Sequence, residues 1–103
     1  MKYLLDTHVF LWMIAESSKL PESFERVILN PGAELFLSVA SIWEAALKNK
    51  IGKLPLPSPA ADYLIRLREQ HLIQPLTIDD QTIRVFQSLD EHHKDPFDHL
   101  SAR

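Results

Sequence analysis

The chain has no cysteine in its 103 residues, which excludes disulfides, zinc–thiolate sites and cysteine nucleophiles. It has only two glycines, so long flexible linkers are not expected and residues 1–103 read as a single domain. The longest uninterrupted apolar run is residues 9–15, far below the ~20 that a helical membrane span needs. No basic, apolar and small-residue leader precedes that run, and the expected location is the cytoplasm. A net charge of −3 provides no global basic field, so a nucleic acid could be met only through a local patch. What is present is ordinary for a globular domain: 46% hydrophobic and 24% charged residues, enough for one core.

The pattern is set at the amino terminus. Tyr3, Leu4 and Leu5 form a short apolar stretch suited to a buried strand, and Asp6 follows directly. Residues 9–15 then read as a buried helix opened by Asp6 or Thr7 as N-cap. Residues 19–30 carry Phe24, Val27 and Ile28 at helical spacing, with Pro21 near the first turn and Asn30-Pro31-Gly32 as a stop. A second strand at residues 34–38 runs into a helix over residues 39–48 that carries the capping-box spacing Ser41-x-x-Glu44. Beyond the proline-rich residues 54–59, a helix over residues 60–70 and a third short strand over residues 72–76 follow, Pro75 marking an edge position. Thr77-x-x-Asp80 opens a helix through Ile83, Val85, Phe86 and Leu89, and Asp95-Pro96 opens a last one.

Strands alternating with helices imply parallel strands joined by right-handed crossovers, an α/β fold. Ligands of such sheets collect at the carboxyl ends of the strands. Asp6, Glu44, Asp95 and Asp98 all fall at or near helix starts, and each alone is explained by capping or by the helix dipole. Together at one sheet edge they would repel one another, and a divalent cation is the simplest remedy. All-oxygen ligands favour Mg²⁺ or Mn²⁺, and the chemistry that follows is metal-assisted phosphodiester hydrolysis.

Three blocks carry a resemblance to a known family. They are Leu5-Asp6-Thr7-His8-Val9-Phe10-Leu11-Trp12; then Ser38-Val39-Ala40-Ser41-Ile42-Trp43-Glu44 with Lys48 and Gly52-Lys53-Leu54; and His93-Lys94-Asp95-Pro96-Phe97-Asp98. In order and spacing the chain resembles the PIN-domain family, in the branch of the VapC-like toxins. The resemblance implies a three-layer α/β/α fold with a mainly parallel sheet. It implies an endoribonuclease that uses Mg²⁺ or Mn²⁺, with Asp6, Glu44 and Asp98 as catalytic metal-binding acids and Asp95 supporting them. It also implies a homodimer and a small VapB-like antitoxin partner. Family members continue past the third block with a further strand and acid, so the expectation here is a fold incomplete at its carboxyl end, with the edge of the first strand exposed. An RNA- or antitoxin-binding module that does not cut is the alternative.

The remaining candidates have plainer explanations. His92 and His93 read as solvated loop residues, His8 as filling a partly buried slot, and Trp12 and Trp43 as core residues. Lys48, Lys50 and Lys53 suit a helix carboxyl end, and as a cluster they could also meet RNA phosphates. Asp79 and Asp80 also follow a strand, but belong first to the Thr77 cap pattern. A phospho-acceptor receiver domain shares this layout, yet Leu76-Thr77 stands where its acceptor aspartate would be.

Overall fold

Two apolar stretches separated by a helical crossover pair in parallel. β1 (Lys2–Leu5) aligns with β2 (Glu34–Ser38) from Lys2↔Glu34 to Leu5↔Leu37. The structure, a computed structural model, describes residues 2–77, 79–81, 83–84 and 98–100. The expected helical positions Val85, Phe86 and Leu89, the His92–His93 pair and Asp95 lie outside these residues. β3 (Gln74–Leu76) joins the other side of β2, and β4 (Asp98–Leu100) the other side of β1, giving a parallel sheet of order β3-β2-β1-β4. Pro75 thus lies in an outer strand, as its missing N–H requires.

The steps from β1 to β2 and from β2 to β3 run in the same direction, so right-handed crossovers carry both helical connections over one face. The helices are α1 (Thr7–Ala15), α2 (Glu22–Ile28), α3 (Val39–Lys50) and α4 (Ala60–Gln70). Leu5, Val9, Phe10, Leu35, Leu37, Ile42, Ala45, Leu64 and Ile73 make the core between helices and sheet. Among the described residues no helix is long and apolar enough to cross a membrane.

Several expectations are corrected. The helix predicted over residues 19–30 splits into a 3₁₀ turn (Ser17–Lys19) and α2. Pro21 holds Leu20 extended and forces the chain out of helical conformation before it re-enters. α3 starts at Val39 because Ser38 caps it, its Oγ accepting from the Ala40 N–H at 3.1 Å, so Ser41 and Glu44 lie inside the helix and form no capping box. His8 is exposed, and Trp43 is 70% exposed rather than in the core; Ile42 and Ala45 take the inward side of α3. Asp98 opens strand β4 and not a helix, with Tyr3↔Asp98 and Leu5↔Leu100 in register. Pairing satisfies the outer N–H and C=O groups of β1, whereas a two-turn helix is marginal, so the edge expected to stay exposed is covered.

α3 and α4 end in the same way and differ in one residue. After α3 the Gly52 N–H donates to Asn49 O and the Lys53 N–H to Lys48 O; after α4 the Leu72 N–H donates to Glu69 O and the Ile73 N–H to Arg68 O. This paired pattern needs a left-handed residue, Gly52 at φ 80° in the first and Leu72 at φ 56° in the second. No atom crowds the Cβ position of Gly52, so Gly52→Ala should lose about 1 kcal/mol from backbone strain alone. Leu72 is 85% exposed and makes little packing to lose, so Leu72→Gly should gain up to about 1 kcal/mol. Urea denaturation of the two variants reads opposite signs. The same sign in both would refute the backbone account.

Candidate active site at the carboxyl edge of the sheet

All four strands run the same way, so Leu5, Ser38, Leu76 and Leu100 finish at one edge, where α1 and α3 begin. An apolar strand that switches at once into a helix places its first polar residue there. For β1 that residue is Asp6, half-buried, with extended backbone (φ −69°, ψ 149°). The Asp6 carbonyl accepts from the Phe10 N–H at 3.1 Å and so closes the first turn of α1. Its carboxylate makes no cap bond to α1. Thr7, beside it, is the one buried polar residue among those described.

Glu44 is five residues beyond Val39, about 7–8 Å down the axis of α3. It is exposed, and its Oε1 accepts from Lys48 Nζ at 3.4 Å, an i, i+4 surface pair of about 0.3–0.5 kcal/mol. α1, which Asp6 opens, packs against α3. Lys48, Lys50 and Lys53 lie toward the opposite end of α3, Lys50 roughly 16 Å from Val39, so the structure sets these lysines away from the strand ends. Asp98 is placed by the β4 register: its Cα stands opposite Tyr3, three residues before Asp6 and about 10 Å from it along the strands.

Among the described residues no three His, Asp or Glu side chains gather to hold a metal ion. A hard divalent ion often takes only one or two carboxylates and completes its shell with water, and Asp6 with Glu44 are of that donor chemistry. Sequence reasoning found both acids but missed Ser38, the capping hydroxyl at this edge. Its signal was available, since Ser38 is the first polar residue after an apolar strand.

The family model described as PIN domain matches residues 3–103. Over 45 residues the chain is 40% identical to Ribonuclease VapC16 of Mycobacterium tuberculosis (strain ATCC 25618 / H37Rv). That stretch is 44% of this chain and spans about a third, 32%, of the relative. No solved structure matches.

Proposed function

The chain belongs to the PIN domain family, and from that premise we propose that it is a metal-dependent endoribonuclease of the VapC-like kind, the toxin of a toxin–antitoxin pair acting in the cytoplasm. The observation that carries the reading is the position of Asp6: a half-buried acid at the end of an inner strand of a parallel sheet, with no capping bond to the helix it opens. Asp6 and Glu44 supply oxygen ligands for Mg²⁺ or Mn²⁺. Asp98 and Asp95 join them on the motif alone. A bound ion of this kind lowers the pKa of a water and offsets negative charge growing on phosphorus. Lys48, Lys50 and Lys53 contact RNA phosphates beyond the scissile bond, and a VapB-like antitoxin and a second copy of the chain are its protein partners. The name of the relative, a ribonuclease, supports the substrate class.

A second reading, a PIN module that binds RNA or a protein partner without cutting, is favoured by one observation: the register that sets Asp98 back from Asp6. Cleavage of a labelled single-stranded RNA decides. The nuclease reading expects many turnovers with Mg²⁺ or Mn²⁺, none with excess chelator, and a drop of at least ~100-fold in Glu44→Gln. Stoichiometric RNA binding with no turnover under any metal condition supports the second reading instead.

A further inference from the structure

Helix α1 begins with donors that no described residue takes up. Its first hydrogen bond runs from the Phe10 N–H to the Asp6 carbonyl, which leaves the N–H groups of Thr7 and His8 ahead of it. Asp6 stands at the N-cap position, but its side chain makes no cap bond to the helix. α3, which starts at the same edge of the sheet, is supplied differently: the Ser38 hydroxyl accepts from its Ala40 N–H. Thr7 adds a third donor. The residue is only 9% exposed, and its hydroxyl, fixed by covalent geometry beside its own N–H, meets no partner among the described residues. Arg68 Nε is the one side-chain polar atom among them that is fully enclosed without a partner, so the Thr7 hydroxyl remains open to an incoming group. A valine of the same shape would fill this place without leaving a hydroxyl unmatched.

We propose that the start of α1 is a phosphate subsite, in which the Thr7 hydroxyl, the Thr7 N–H and the His8 N–H donate to the oxygens of a phosphodiester in a bound nucleic acid strand. Three donors on two consecutive residues, at the positive end of a nine-residue helix, suit an oxyanion. Position gives the subsite its use. Asp6 is the neighbouring residue, so a phosphate held here lies against the acid that the proposed function assigns to the ion. Like charges repel, and binding beside that carboxylate therefore depends on a cation or on loss of the charge. The donors meet phosphate oxygens and no base, so the subsite fixes register without reading sequence. Its bearing on cleavage rests on the nuclease reading, whereas anion capture by these donors needs no turnover.

Nuclear magnetic resonance reads the site directly. With Mg²⁺ present to offset the carboxylates, inorganic phosphate should shift the Thr7 and His8 amide resonances saturably, and sodium chloride of equal ionic strength should not. In the Asp6→Asn chain the same shifts should appear without metal. A single-stranded oligodeoxynucleotide, which carries phosphodiesters and tests binding apart from RNA cleavage, should move the same two resonances. Thr7→Val keeps the shape and should weaken both ligands about 3–10-fold, the scale of one lost hydrogen bond, while Thr7→Ser stays within about twofold. In urea, Thr7→Val should be no less stable than the parent, since the hydroxyl it removes has no partner in the fold. Absence of shifts at Thr7 and His8, unchanged affinity in Thr7→Val, or a destabilised Thr7→Val would each overturn the proposal. Shifts with inorganic phosphate but none with the oligonucleotide would overturn the assignment to a nucleic acid strand. RNA left uncut while these shifts persist would fail the nuclease reading alone. Should Thr7→Val not fold, the resonances of the parent and of Asp6→Asn decide.

Discussion

Asp6→Asn should lose at least ~100-fold in RNA cleavage while its unfolding midpoint stays within error of the parent. The substitution removes one charge and keeps the shape. Asparagine is as good an N-cap as aspartate, so α1 keeps its start, and the carbonyl bond from Asp6 to the Phe10 N–H involves only the backbone. A metal ligand does different work. Stabilising charge on a phosphoryl group supplies several kcal/mol, and each 1.36 kcal/mol is tenfold in rate, so losing it cannot leave turnover near normal. The parallel measurement of cleavage and urea stability separates the two roles. Activity that survives in Asp6→Asn would reduce Asp6 to a helix-starting residue and remove the central support for the nuclease reading.

Phe10→Ala should destabilise the fold by about 3–5 kcal/mol, lowering the thermal midpoint on the order of 15–30 °C. Phe10 is 1% exposed and sits in one cluster with Leu5, Val9, Leu37 and Leu64. Truncating a ring in a close-packed core loses its transfer free energy and leaves a cavity that the sheet and α4 cannot fully close. Against a typical stability of about 5–15 kcal/mol that is a fifth or more of the total. Helix α1 holds Asp6 at its start, so the same change loosens the seat of the candidate acid and should lower activity first at elevated temperature. Thermal denaturation checks the magnitude. A loss under ~1 kcal/mol would mean that Phe10 is not packed as described.

The residues dictated much of this without any coordinates. Tyr3-Leu4-Leu5 followed by Asp6 is legible as strand, acid and helix because period and polarity change within a few positions. The proline in residues 72–76 likewise placed β3 at an edge, since a missing N–H is a local fact. The three motif blocks carried the family. The corrections concern choices between distant parts of the chain. Ser38 or Ser41 could each open α3, and the point where β2 releases the chain selected Ser38. Trp43 could face in or out by its spacing, and the core, already filled from α3 by Ile42 and Ala45, left it outside. Residues 98–100 could continue a helix or pair with β1, and the unpaired amides of that strand decided for pairing, which fixed Asp98 opposite Tyr3. Helix or strand character is a property of neighbours along the chain, whereas register and the buried face come from hydrogen bonds and packing between segments that meet only after folding.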